Sequence, residues 1–536
     1  MTRRLARSAG LIGLATFSSR ILGLIRDQLF LIFFGAGAAM DAYYVAARVP
    51  SLLRDLFAEG AMSAAFVPTF TRYLTTRGKD AAWRLGSQVL NALALITGVL
   101  VVVGIVFAEP FLWLFATGYA DDPQQLALTK SLTRIALPFL TLIAIAAACM
   151  GMLNALRRFF TPAMAPAVFN VATIVTLLVL YPVLVQWGYH PILSLAIGML
   201  VGGVVQIAVQ IPQLHREGYR HAFVLDPRDP GLREVLVLMG PGMIGVAAAQ
   251  INLVVNTALA THAETGAVSW LTAAFRLMYL PIGIFGVSVA TAALPEIARH
   301  AATGETGEMR RTLSMGLRLM LMLSVPATVG LIMLSDPIIA LLFQWGRFTA
   351  HDTAMSASAL ALYAPGLVGY SVVKLASPSF YALRDARTPV TVSVISIIVN
   401  LLLNLWLFQL MGFRGLALGT GIAATVNAVL LLVLLSRRIG GLDAPRLLRA
   451  SLKITVASAL MGAAVYAADG WLAAQLPETL LLRGTAGIAM ARGVRVFGAI
   501  GVGLGVLALM AHLLRIEEFQ TAMQRVLRRL RPAPPK

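Results

Sequence analysis

Long apolar runs alternate with short polar breaks along the chain, and no polar stretch is long enough for a sizeable soluble domain. A helix rises about 1.5 Å per residue, so about 20 apolar residues cross the hydrocarbon core of a bilayer. The pattern predicts fourteen membrane-spanning helices, at 10–34, 39–70, 87–108, 128–155, 163–185, 191–212, 234–260, 266–297, 310–333, 353–380, 389–410, 414–436, 447–469 and 492–514. The expected fold class is an all-α polytopic membrane protein.

The polar breaks alternate in charge. Basic residues mark every second one: Arg3, Arg4 and Arg7; Arg72, Arg77, Lys79 and Arg84; Arg157 and Arg158; Arg216, Arg220, Arg228 and Arg233. The alternation continues through Arg299, Arg310 and Arg311, then Arg384 and Arg387, then Arg437, Arg438, Arg446 and Arg449, to the tail with Arg525, Arg528, Arg529 and Arg531. The breaks between are poorer in basic residues, and one is acidic (Glu109, Asp121, Asp122). Lys and Arg concentrate on the cytoplasmic side of membrane proteins, so both termini are expected in the cytoplasm. Arg3-Arg4 before an apolar run faintly resembles a twin-arginine signal. Arg20 and Arg26 interrupt that run and no small-residue cleavage site follows, so it reads as the first permanent span.

Composition narrows the function class. Of 536 residues 58% are apolar and 12% charged, and 43 Lys+Arg against 24 Asp+Glu leave a net charge of +19. Soluble domains carry about 25% charged residues, roughly twice this value, which argues against a water-soluble enzyme. The basic excess sits in the breaks and not on a polar surface, which argues against a nucleic-acid binder. The single cysteine, Cys149, lies in an apolar run and reads as a packing residue. The seven histidines form no H-E-x-x-H cluster and no G-x-x-x-x-G-K-[ST] loop is present, so neither metal catalysis nor ATP hydrolysis is expected.

The prolines disclose an internal duplication. Pro68 and Pro295, Pro110 and Pro337, Pro138 and Pro365, and Pro162 and Pro389 are each 227 residues apart. Their flanks agree: Ala155-Leu156-Arg157 before Thr161-Pro162 matches Ala382-Leu383-Arg384 before Thr388-Pro389. Each half then holds six spans, an even number, which makes a parallel repeat with two extra C-terminal helices. The division expected is 1–212 for the N-lobe, 213–233 for a cytoplasmic linker, 234–440 for the C-lobe, and 441–536 for the last two spans and a basic tail. Two similar bundles suggest a transporter working by alternating access; a static scaffold is the other reading.

Charges inside the spans are few and costly, roughly 3 kcal/mol each at a helix centre. The first two spans hold Arg20, Arg26, Asp27, Asp41, Arg48, Arg54, Asp55 and Glu59. Asp41, Arg48 and Asp55 are spaced at seven and Glu59 follows by four, which places them on one helical stripe, although Pro50 is expected to kink that span. The second half offers Arg276 and Lys374. Arginine's planar fork suits phosphate and carboxylate oxygens, so these residues read as a pocket for an anionic, phosphate-bearing substrate, or else as ion pairs that fix packing.

From Ser18 the spans read S-S-R-I-L-G-L-I-R-D, then F-G-A-G-A-A-M-D-A-Y-Y-V-A from Phe34 and R-V-P-S-L-L-R-D-L-F-A-E-G-A-M-S-A-A-F-V-P from Arg48. Together with S-W-L-T-A-A-F-R-L-M-Y-L-P from Ser269 and F-Q-W-G-R-F-T from Phe343, the sequence resembles the MurJ/MviN family of lipid II flippases over essentially its whole length. The resemblance implies two six-helix lobes in a V, around a cavity lined by spans one, two, seven and eight. It implies Arg20, Arg26, Arg54 and Arg276 as substrate-binding cations and Asp41 as a required acid. Arg48 and Glu59 belong to the same set; Asp27 and Asp55, read from their place among the charges of the first two spans, are further gating or ion-pair candidates. The last two spans would form a groove for the lipid tail. Two positions depart from the family pattern: Phe275 replaces an acid beside Arg276, and Asp55 replaces an arginine.

The function these features imply is translocation of lipid II from the cytoplasmic to the periplasmic leaflet of the bacterial inner membrane, its diphosphate held by cavity arginines. Export of another polyprenyl-diphosphate-linked oligosaccharide is the alternative. No cofactor is expected; a coupling ion or the membrane potential would supply energy. Asn256, Asn400 and Asn404 are candidates for an ion site or for simple interhelical hydrogen bonds. Expected partners are lipid II, membrane lipids and cell-wall synthesis enzymes, with the chain a monomer and no nucleic acid.

Overall fold

The structure, a computed structural model, describes residues 2–55, 63–476 and 484–520, with side chains described for all of these except 2–12, 14, 53, 63, 64, 240–249 and 251. Among the described residues there is no strand. The chain forms two compact units, Met1–Ser269 with Gly346–Phe348, and Trp270–Trp345 with Thr349–Lys536.

The first unit comprises α1 (Thr2–Phe34), α2 (Ala38–Arg54), α3 (Ser63–Thr76), α4 (Gly78–Val106), α5 (Ala108–Leu112), α6 (Pro123–Ala136), α7 (Phe139–Ala155), α8 (Phe160–Gln186), α9 (Leu193–Ala208), α10 (Ile211–Arg216) and α11 (Pro230–Thr261), and it ends inside the first turn of α12 (Ala267–Pro281). The expected division at 213–233 follows a polar break in the sequence, whereas the compact units part between Ser269 and Trp270. Packing explains the difference: α11 lies against α3, α4 and the 3-10 turn Thr117–Tyr119. Gly231 permits the approach, because a Cβ there would lie 2.4 Å from the Tyr73 hydroxyl.

The second unit continues α12 through a π-helical turn at Ile282–Gly286 into α13 (Val287–Thr303). It then runs through α14 (Thr306–Met333), α15 (Ser335–Phe343), α16 (Ala350–Tyr363), α17 (Gly366–Ala382), α18 (Arg387–Met411), α19 (Phe413–Arg438), α20 (Ala444–Gln475) and α21 (Thr485–Leu513). Its core joins α13, α14, α17 and α19 through Ile297, Met309, Leu313, Leu375, Phe380 and Leu431, all nearly or fully buried.

Among the described residues ten helical segments are long and apolar enough to cross a membrane, or eleven when α16 and α17, bent by 45°, count as one. These correspond to eleven of the fourteen expected spans. The other three, 10–34, 39–70 and 234–260, each contain residues outside those fully described.

The duplication read from the prolines is written in the helix boundaries. α6 and α16, and α7 and α17, begin and end 227 residues apart. α5 and α15, and α8 and α18, begin 227 residues apart, while α3 and α13, and α4 and α14, end so. The A-L-R signature has a backbone cause. Arg157 (φ 60°) and Arg384 (φ 58°) both adopt the left-handed conformation just past their helices. In each copy two amides fold back onto orphan carbonyls: Arg157 to Asn154 (3.0 Å) and Arg158 to Leu153 (2.8 Å), then Arg384 to Tyr381 (3.0 Å) and Asp385 to Phe380 (2.9 Å). That is the Schellman arrangement, here closed by arginine where glycine is usual.

The last two spans pack on α14 and α15. Arg492, 8% exposed, donates to the carbonyls of Ala340 (3.1 Å) and Gln344 (2.9 Å), and its guanidinium lies 4.9 Å from the Trp345 ring centre. It thus satisfies the C-terminal carbonyls of α15. Arg495 and Asp469 pair through two bonds of 2.6 and 2.8 Å, tying α21 to α20. Arg492→Ala is expected to lower stability by about 3 kcal/mol, the scale of charge-assisted hydrogen bonds to backbone carbonyls. An unchanged thermal unfolding midpoint in detergent would contradict that role.

Candidate functional site

Most of the costly charges lie on α1 and α2, joined by a turn at 35–37 that is shaped by two glycines. Gly35 (φ 68°) and Gly346 (φ 60°) are both left-handed. Cβ atoms on them would fall 2.6 Å from the Arg347 carbonyl and 2.4 Å from the Ile32 carbonyl, and the Arg347 amide donates to Ile32 at 2.9 Å. The F-Q-W-G-R-F-T stretch therefore owes its glycine to close backbone approach.

Arg26 is firmly held. Its Nε and Nη2 donate to Asp27 Oδ1 at 3.1 and 2.8 Å, and Nη1 donates to Asn170 Oδ1 at 3.0 Å. Asn170 Nδ2 in turn donates to the Ser19 carbonyl at 3.1 Å, which fixes the amide's orientation. Phe30 and Phe169 flank the guanidinium at 5.6 and 5.9 Å. Asn170 was not among the expected site residues. Its signal was present, as a lone amide in the apolar run 163–185. Arg20, nearly two turns earlier on α1, is exposed and has no ion-pair partner among the described residues.

Asp41 is 2% exposed. Oδ2 accepts from the Gly266 amide (2.6 Å), while Oδ1 accepts from the Ser269 amide (2.9 Å) and hydroxyl (2.6 Å). Amides at a helix start lack partners within the helix, and a carboxylate there is favoured by the helix dipole. Asp41 therefore caps α12 from a separate helix, holding α2 to the 266–269 turn. A second link lies close in sequence: Thr117 Oγ1 and His262 Nε2 are 2.9 Å apart, and the Gly118 amide donates to Thr261 Oγ1 at 3.1 Å.

Toward the other end of α2, Arg54 Nε and Nη2 donate to Asp55 Oδ1 at 2.9 and 2.7 Å, while Asp55 Oδ2 accepts from Gln250 at 3.2 Å. Asp55, where the family pattern has an arginine, thus neutralises its neighbour and ties it to α11. Arg48 and Arg276 are half-buried, and both are engaged. Glu59 lies outside the described residues.

Arg276 sits on α12 beside Phe275, the second departure. Phe275 is surrounded by rings: Tyr279 stacked at 6.0 Å, with Tyr363 and Tyr370 edge-on at 5.5 and 6.4 Å. The position usually given to an acid is here part of an aromatic cluster. Just before it, Trp270 Nε1 donates to Asp352 Oδ1 at 2.9 Å, and Asp352 also closes a capping box with Thr349. Of the three candidate asparagines, Asn256 is on α11, and Asn404 donates to Asn400 within α18 at 2.9 Å. Gly419 leaves room for that pair, since a Cβ there would meet Asn404 Oδ1 at 2.1 Å.

A family model described as lipid II flippase MurJ matches residues 32–484. The chain belongs to the MurJ family. Among its relatives, a lipid II flippase MurJ from Burkholderia cenocepacia is 38% identical over 427 residues, covering 79% of this chain and 82% of the relative. A probable lipid II flippase MurJ from Rhizobium meliloti is 35% identical over 514 residues, covering 94% of each. A solved structure of lipid II flippase MurJ in an inward closed conformation aligns with a TM-score of 0.76 at 28% identity, covering 94% of this chain and 99% of that one. An inward-facing multidrug resistance MATE transporter, 18% identical with a TM-score of 0.63, shares the fold. As a MurJ family member with many apolar helices, the chain is a multi-pass membrane protein.

Proposed function

We propose that the chain moves lipid II from the cytoplasmic to the periplasmic leaflet of the bacterial inner membrane by alternating access. The observation that carries the reading is the MurJ family match over residues 32–484, which takes in the charged helix α2 and α12. Lipid II joins a polyprenyl tail to a diphosphate, two amino sugars and a peptide with carboxylates. Dragging that headgroup through hydrocarbon unaided would strip water from charges and hydroxyls at prohibitive cost. Arginines replace this hydration with charge-assisted hydrogen bonds, while the tail stays in lipid.

Arg20 and Arg26 on α1, Arg54 on α2 and Arg276 on α12 are the residues proposed to hold the diphosphate. Arg26 keeps donors beyond those bonded to Asp27 and Asn170, since a guanidinium has five N–H groups. Asp41, holding the 266–269 turn, would act as the outer latch that opens when the substrate crosses. No covalent bond changes, so the activity is transport, driven by the membrane potential or a coupling ion. Depletion in the native host tests the reading. Lipid II is expected to accumulate on the cytoplasmic face, and an unaltered leaflet distribution would remove the proposal.

A further inference from the structure

The first unit contains a cavity of about 340 Å³ near its cytoplasmic end, lined on the inside by Leu90, Ala94, Ile145, Cys149 and Ile207. None of these residues belongs to the charged site on α1 and α2. Its lining includes apolar side chains that are themselves exposed, Ile211 at 41% and Phe223 at 95%, which suits a mouth open to lipid. The level is interfacial: Asn91 and Ala94 lie only a few turns beyond Lys79 and Arg84 on α4, a segment the charge alternation places in the cytoplasm.

The polar side of the cavity is built by the segment after α10. Asn91 Nδ2 donates to the carbonyls of Ala222 and Val224, both at 2.9 Å, and the Ala222 amide donates to Ser87 Oγ at 3.3 Å. Tyr219, buried, lies 3.2 Å from Ser87 Oγ and 3.0 Å from His221 Nδ1 through its hydroxyl. This lays residues 219–224 along α4 as a fixed wall. Phe223, on that wall, is 95% exposed and meets His221 edge-on at 4.9 Å. A phenylalanine so exposed is costly in water and favourable in the acyl–headgroup boundary.

A cation stands at the rim. Arg220 Nη1 lies 2.9 Å from Nδ1 of His215, a lining residue, and the guanidinium, which has no acceptor, is the donor. The neighbouring Arg158 is already neutralised by Glu217 at 2.7 Å, whereas Arg220 has no acidic partner among the described residues. An apolar cavity open to lipid, a membrane-seeking aromatic and an oriented arginine together match one chemistry. We infer that this cavity holds an acyl chain of an anionic phospholipid of the cytoplasmic leaflet, its phosphate on Arg220.

The test uses the whole protein in vesicles containing a trace of phosphatidylglycerol or phosphatidylcholine with a photoreactive acyl chain, and maps the cross-linked peptides. Phosphatidylglycerol is expected to label 90–94, 145–149 and 207–223 about fivefold more than phosphatidylcholine, the factor one basic residue provides at an anionic surface. Arg220→Ala should reduce its labelling to the phosphatidylcholine level, Arg220→Lys should restore much of it, and Ala94→Trp should block both lipids there. Equal labelling of the unmodified protein by the two lipids would mean bulk lipid only and overturn the inference. So would a phosphatidylglycerol preference that survives Arg220→Ala. The comparison on the unmodified chain decides the question even where a variant fails to fold, and it does not depend on lipid II being the cargo.

Discussion

Asp41→Ala is expected to cost about 3 kcal/mol of stability and to abolish most translocation. The carboxylate is 2% exposed and accepts three hydrogen bonds, from the Gly266 amide and from the Ser269 amide and hydroxyl. Removing it orphans two amides at the start of α12, each worth about 1–3 kcal/mol when desolvated. It also removes a negative charge from the positive end of that helix. Asp41→Asn separates packing from charge. Its oxygen still serves one side, but its NH₂ then faces a donor, so little of the stability should return. Thermal unfolding and a leaflet-specific lipid II assay at matched protein levels check both variants. Wild-type values for Asp41→Ala in the two measurements would refute the latch.

Single alanine substitutions of Arg20, Arg26, Arg54 and Arg276 should each reduce translocation by about tenfold or more, the scale of one lost charge-assisted hydrogen bond. Their stabilities should separate them. Arg20 is exposed without an ion-pair partner among the described residues, so Arg20→Ala should unfold at the wild-type temperature while transport fails. Arg26→Ala should lose both, because it leaves Asp27, 4% exposed, without its guanidinium and Asn170 without its donor. Breaking a buried pair from one side costs about 3–5 kcal/mol. Full transport by all four variants would sink the diphosphate pocket.

Legibility differed between the fold and the site for a physical reason. Helix after helix was visible because apolarity over about 20 residues is a local property. The duplication was visible because proline and the A-L-R sequence mark helix ends, and Arg157 and Arg384 share one left-handed backbone conformation. The site was visible only as a set of residue types. Arg26 and Asp27 are neighbours, so their pairing could be anticipated, but its third member, Asn170, lies 144 residues from Arg26. Nothing in the spacing of Asp41, Arg48 and Asp55 indicates that Asp41 spends its oxygens on a turn 225 residues away. The two departures from the family pattern acquire a meaning only in three dimensions. Asp55 serves Arg54 and Gln250, and Phe275 sits in a ring cluster with Tyr279, Tyr363 and Tyr370.

By itself the sequence determined that the chain lives in a bilayer, that it is built from a doubled helical unit, and that its few deep charges cluster on the first two spans. Those properties follow from transfer energy and helix periodicity, which need no knowledge of distant neighbours. Tertiary structure alone decided which cations are committed to partners and which stay exposed, where the compact units part, and that an aspartate caps a helix far along the chain. A hydrogen bond depends on atoms brought within about 3 Å, and only folding brings them there.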